Sequence, residues 1–264
     1  MHIQFSHGNG FPAGSYRAFL DALGAHYPQA RIGAVERIGH DPRYPITDEW
    51  PHLVAELVAQ VDTDREEPLV LVGHSLGGYL SLMAAYRLGT RVRAVVMLDS
   101  PLIPPWKATL FALMKKTGLD ERFSPARFAK RRRERWPSRE AALDHFRDKS
   151  LFAGFEPDAL RDYVESGIAA SDDGVALAFD RAREYRIYRT LPHRLHALTR
   201  RPPPCPIGFV GGTHSVELRL TGMRETRRMV GERFRMVAGS HLFAMEKPVE
   251  TAAATQSLLA ACGL

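Results

Sequence analysis

A serine with glycines two positions to either side, in Gly73-His74-Ser75-Leu76-Gly77-Gly78, is the pattern in this 264-residue chain best suited to covalent chemistry. It follows the apolar run Leu69 to Val72 and precedes Tyr79 to Leu88, which is apolar on nearly all sides. The order is therefore strand, abrupt turn, buried helix. Such a turn strains the backbone of its central residue, and only small residues two positions away avoid a clash. It lifts the Ser75 hydroxyl to a helix N-terminus, where the dipole favours developing negative charge. Ser75 is the candidate nucleophile; the plainer alternative is a glycine-rich turn with an incidental serine.

A serine hydroxyl is a weak nucleophile, so the chemistry needs an imidazole to take its proton and a carboxylate to orient that imidazole. Among the eleven histidines, His193, His196, His214 and His241 lie near the ends of the later elements. A lone loop histidine is more often a polar surface residue than a base.

The elements that must position these groups are six short β-rich runs: His2 to Ser6, Arg31 to Ile38, Leu69 to Val72, Val92 to Leu98, Ile207 to Val210 and Phe234 to Val237. Helical patterns alternate with them. Tyr16, Phe19, Leu20 and Leu23 recur at helical spacing, as do Trp50, Leu53, Val54, Leu57, Val58 and Val61. Alternation of this kind predicts an α/β fold with a mostly parallel, doubly wound sheet. The continuously apolar runs at 69–72 and 94–98 belong at its centre. Between Pro101 and about Arg201 the chain turns Arg-rich and helical, broken by prolines at 104, 105, 125, 137, 157 and 192, with no convincing strand. The expected division is a core of residues 1–100 and 201–264 with a helical lid over 101–200. The tract RRPPPCP at 200–206 reads as a stiff linker into the next strand.

A composition of 45% hydrophobic and 25% charged residues excludes a disordered chain, a collagen-like repeat and a disulfide scaffold. Cys205 and Cys262 have no zinc or redox spacing, so no metal is implied. No run approaches the about 20 apolar residues of a membrane span, and the start carries no leader pattern, so a cytoplasmic protein is expected.

The strand-elbow-helix unit resembles the α/β-hydrolase family, and the resemblance covers nearly the whole chain outside the lid. Ser6-His7-Gly8-Asn9-Gly10-Phe11-Pro12 is similar to the family's His-Gly oxyanion loop, which implies that the backbone N–H groups of Asn9 and Leu76 bind an oxyanion. Gly239-Ser240-His241-Leu242-Phe243 is similar to its C-terminal histidine loop, which implies His241 as general base. The sequence departs from the commonest pattern at the acid. The loop after the penultimate strand, Gly211 to Glu217, has no Asp. Some members place the acid at the end of the preceding strand, where this chain has Asp99, and Glu217 is the alternative. Asp99 could equally be a turn cap before Ser100-Pro101.

Leu102, Ile103, Trp106, Leu110, Phe111, Leu113 and Met114 form an apolar stretch that reads either as a pocket wall or as core. Residues 121–150 carry ten Lys/Arg against five Asp/Glu, most of the formal +6. Within them, Lys130-Arg131-Arg132-Arg133-Glu134-Arg135 reads as a solvated helix face or as an attractor of anions, and no nucleic-acid motif accompanies it. The resemblance implies hydrolysis of a small carboxylic ester or thioester through a Ser75 acyl-enzyme, with His241 as base, Asp99 orienting it, and no cofactor. Carbon–carbon bond hydrolysis by the same triad and a non-catalytic, ligand-binding homologue are the alternatives.

Overall fold

In the computed structural model, which describes residues 1–61, 67–117 and 126–264 apart from the side chains at 116 and 128, apolar alternation sorts the strands into one sheet. Its strands are β1 (His2–Ser6), β2 (Arg31–Ala34), β3 (Leu69–His74), β4 (Val92–Leu98), β8 (Ile207–Gly212) and β9 (Phe234–Val237). They run in the order β2-β1-β3-β4-β8-β9, every pairing parallel. β3 and β4 are central, as their unbroken apolar runs require.

Because side chains alternate across a strand, the sheet makes two cores. Leu69, Leu71, Val95, Met97 and Phe209 pack with Leu53 and Leu57 of α2 (Pro51–Gln60) and Leu80 of α3 (Leu76–Leu88). Ile3, Phe5, Val70, Val72 and Val96 pack on the other face with Phe19 and Leu23 of α1 (Arg17–His26) and with Leu258 and Leu259 of the last helix (Pro248–Ala260). Each fully buried Leu, Ile or Phe contributes about 1.5–3 kcal/mol of transfer free energy, which anchors the sheet under the site.

β2 ends at Ala34 rather than reaching Ile38. Ile38 is buried all the same, its N–H bonded to His7 Nε2 at 2.8 Å, so the apolar pattern marked core contact and not strand.

Between β4 and β8 the chain forms α4 (Pro105–Thr117), α5 (Ala126–Arg131), α6 (Arg139–Arg147), α7 (Pro157–Gly167), α8 (Arg181–Arg189) and α9 (Leu195–Leu198). The break expected at Pro125 lies outside the described residues. The expectation of no strand in this region is corrected. β5 (Arg135–Trp136), β6 (Ile168–Ser171) and β7 (Gly174–Leu177) make a small antiparallel sheet in the order β5-β7-β6. The strands were illegible because two to four residues are too few to show period two; the hairpin turn at Asp172-Asp173-Gly174, with Gly174 at φ +124°, is the local signal that betrays them. Behind them Trp136, Phe146, Phe152, Leu160 and Tyr163 form a third apolar cluster.

Candidate active site

The turn from β3 into α3 puts Ser75 at φ +52°, ψ −113°, a conformation that costs a non-glycine residue on the order of 1–3 kcal/mol. Its neighbours enforce it. The Ser75 N–H donates to Leu98 O at 2.9 Å, and Ser100 Oγ donates to Ser75 O at 2.8 Å. A Cβ on Gly77 would collide with the Ser6 carbonyl, and one on Gly73 with the Gly77 carbonyl, so both positions require glycine.

Gly77 also bonds the neighbouring loop, its N–H donating to His7 O at 3.1 Å. This contact sets His7 and the loop it opens beside the start of α3, whose first residue is Leu76. The N–H of a first helical residue has no acceptor within the helix, so Leu76 offers a donor of the kind an oxyanion needs. Asn9 is 5% exposed, and its Nδ2 donates to Glu184 O at 3.0 Å.

His241 follows β9, and its Nδ1 lies 2.6 Å from Asp99 Oδ2. Asp99 follows directly on β4 at φ +46°, a second strained non-glycine residue beside the first. Its carboxylate is 1% exposed and accepts three hydrogen bonds: from Gly212 N–H at 3.0 Å, from Ser215 Oγ at 2.5 Å, and from His241. Glu217, the other carboxylate considered, lies 3.7 Å from the same nitrogen and is 47% exposed. The short contact belongs to Asp99. Facing a carboxylate, Nδ1 carries the proton, which leaves Nε2 with its lone pair free. Burial works against the imidazolium, but the bond to Asp99 and the charges of Glu217, Asp99 and Glu246 outweigh it and raise the His241 pKa.

Asp99, Glu217 and His241 also bring ligand atoms within 4.8 Å of one another, a spacing a cation could use. Both Asp99 oxygens already accept hydrogen bonds from N–H or O–H groups, so the set fits a histidine proton better than a metal. His214 is exposed, and His193 pairs with Glu49 at 2.6 Å, so neither approaches Asp99.

Three parts of the site were not singled out from sequence. Tyr16 reads as a core position of α1, yet its hydroxyl accepts from Gly8 N–H at 3.0 Å and donates to His74 Nδ1 at 2.7 Å. His74 Nε2 in turn donates to His241 O at 2.8 Å, and the two imidazole centroids are 4.8 Å apart. Burial drives the His74 pKa down to about 3, so it stays neutral. The signal available was the phenol itself, since a buried tyrosine hydroxyl seeks a partner. Ser215 both caps α10 (Val216–Thr221) and holds Asp99. Finally, one member of the basic run turns inward. Arg132 Nη1 pairs with Glu184 Oε2 at 2.7 Å over Gly10, while Lys130, Arg131, Arg133 and Arg135 remain exposed. Arg132 is thus drawn into an internal ion pair, while the other four cations of the run face solvent.

The apolar stretch 102–114 divides between the interior and the surface. Leu102 is buried and Ile103, Phe111 and Met114 are half-buried, but Trp106, Leu110 and Leu113 are 66%, 51% and 59% exposed, so those three are not core.

Residues 5–254 match the sequence model of the alpha/beta hydrolase family. A segment is 35% identical over 79 residues to Lipase LipV of Mycobacterium tuberculosis; the match spans 29% of this chain and 30% of that protein. Among solved structures, E-2-(acetamidomethylene)succinate hydrolase superposes with a TM-score of 0.74 at 20% identity, over 98% of this chain and 92% of that one. A thioesterase domain from the curacin biosynthetic pathway superposes with a TM-score of 0.71 at 17% identity, over 98% and 90%. At such identities the two structures speak to the fold alone.

Proposed function

The chain belongs to the alpha/beta hydrolase family, and on that premise we propose that it hydrolyses a small carboxylic ester or thioester through an acyl-enzyme on Ser75. The observation that carries this reading is Asp99, buried and strained, bonded at 2.6 Å to the histidine that follows the last strand. In the proposed cycle His241 Nε2 takes the Ser75 proton as Oγ attacks the carbonyl carbon. Asp99 holds Nδ1–H and stabilises the imidazolium. The N–H groups of Asn9 and Leu76 receive the oxyanion, a contribution of about 3–4 kcal/mol per donor in comparable sites. The alcohol or thiol leaves with the proton from His241, and water repeats the sequence to release the acid.

The helical segment over 101–200 is proposed as a lid. Its Glu184 and Arg132 contact Asn9 and Gly10, which supports a role in shaping the oxyanion side of the pocket. The opposite charges of that pair and Glu217 beside His241 are consistent with a neutral reacting group.

A fluorophosphonate with adduct mapping by mass spectrometry tests the proposal. Labelling of Ser75 that is lost in Ser75→Ala and strongly slowed in His241→Ala is the expected result, followed by turnover of chromogenic esters. Labelling with turnover only of a vinylogous diketone would replace ester with carbon–carbon hydrolysis. No labelling would sink the catalytic reading in favour of a binding homologue.

A further inference from the structure

We propose that the outer face of α4 and α10 is a docking surface for an anionic lipid bilayer, seated beside the mouth of the site.

Trp106, Leu110 and Leu113 fall at i, i+4 and i+7 on α4 and form one outward stripe, 66%, 51% and 59% exposed. The buried side of the same helix carries Ala108, 2% exposed, so α4 buries one apolar face and turns a second to solvent. Leu220 and Met223, 67% and 41% exposed, extend the stripe. Lys107 joins the two parts. Its Nζ lies 5.3 Å from the Trp106 ring centre and donates to Leu220 O and Thr221 O. A contiguous patch of large apolar side chains around an exposed tryptophan is unusual on a soluble surface and marks an interaction site.

The charges around the patch choose the occupant. α4 contains no acidic residue, Lys107 lies against Trp106, and the exposed Arg219 and Arg224 adjoin Leu220 and Met223 in the chain. The nearby acids point elsewhere: Glu225 pairs with Arg228, and Glu217 faces His241. An apolar stripe with a cationic rim and an interfacial tryptophan complements anionic headgroups over acyl chains, each Lys or Arg near such a surface contributing about 1 kcal/mol. A second copy of the chain suits the face less well, because a two-fold contact sets this basic rim against itself. The patch borders the site through α10: Val216, 46% exposed, lies between Ser215, which holds Asp99, and Glu217. Docking would therefore direct the mouth toward the lipid. The inference stands on this surface whether or not Ser75 acts as proposed.

The chain supplies its own reporter, since Trp50 and Trp136 are 1% and 2% exposed and Trp106 alone of the three is open to solvent. Vesicles of phosphatidylcholine with about one third phosphatidylglycerol should shift the emission to the blue and carry the protein in flotation. Phosphatidylcholine alone should bind at least tenfold more weakly, and rising salt should reverse the binding. The double variant Leu110→Ser with Leu220→Ser, both sites exposed, should keep its melting temperature and its turnover of a water-soluble ester while losing flotation. No blue shift and no flotation with either vesicle would overturn the proposal. So would a concentration-dependent dimer, seen by sedimentation, that the same double variant dissolves.

Discussion

His74 Nε2 lies 2.8 Å from the main-chain carbonyl of His241, which ties the residue before the candidate nucleophile to the backbone of the candidate base. On its other side His74 accepts from Tyr16, which accepts from Gly8 in the 7–10 loop. Gly8, Tyr16, His74 and His241 thus form one directed chain across the floor of the site. Gly8, Tyr16 and His74 are buried and His241 is half-buried, and each has a defined donor or acceptor role, the condition under which a polar network fixes a single geometry.

Tyr16→Phe removes one oxygen and leaves two partners unsatisfied, Gly8 N–H and His74 Nδ1. A loss of about 1–3 kcal/mol in unfolding free energy is expected, read from denaturant midpoints. The rate of Ser75 labelling should fall with it, since the 7–10 loop and the His241 loop both lose a fixed point. Unchanged stability and labelling would show the chain to be incidental.

Asp99→Asn presents an amide to His241 Nδ1 and favours the wrong tautomer, so turnover should drop by about 10⁴-fold. The fold should survive, because Asn tolerates the positive φ found here. Glu217→Gln, at a half-exposed carboxylate 3.7 Å away, should cost only a few-fold. If the two effects were exchanged, Glu217 would be the acid.

The pH profile carries a further sign. The base acts when neutral, so activity should rise with pH through the His241 pKa, which its surroundings raise. Glu217 contributes to that rise, and Glu217→Gln should move the acid limb to lower pH without steepening it. An acid limb that moved upward would contradict the assignment.

Stability should respond to acid in the opposite way from that histidine's own titration. Burial pushes His74 down to about 3 and His7 to about 4, so below the ordinary histidine range the unfolded chain binds protons that the folded chain refuses. Each contributes a loss of up to about 1.4 kcal/mol per pH unit as pH falls from the unfolded toward the folded value. Denaturant midpoints at pH 7 and pH 5 measure the sum. His241, raised in the fold, stabilises below its unfolded pKa and loses that contribution as pH rises through the folded one.

Arg132→Ala leaves Glu184, 9% exposed, without its cation. Breaking such a pair from one side costs about 3–5 kcal/mol, whereas Arg132→Met with Glu184→Gln should recover most of it. Thermal denaturation of the singles and the double gives the coupling, and additive losses would show that the pair does not hold the loop.

The sequence by itself determined the parallel α/β sheet, because unbroken apolar runs have no place except between two covered faces. It determined the elbow too, since Gly73 and Gly77 are demanded by local sterics that any reader of the chain can apply. It also brought Ser75, His241 and Asp99 into one short set of candidates, through their places at strand ends. Tertiary structure decided what spacing along the chain does not encode. Asp99 and Glu217 are both carboxylates near the ends of adjacent strands, and only packing put the first at 2.6 Å from His241 Nδ1 and the second at 3.7 Å. Tyr16 and His74 stand 58 positions apart, so their hydrogen bond exists only because the turn that leads into α1 packs onto the elbow. Trp106, Leu110 and Leu113 have the period of a buried stripe, and period alone says that residues share a face, not whether that face meets protein or water. The same limit applied to Arg132, whose burial depends on Glu184, 52 positions further along the chain.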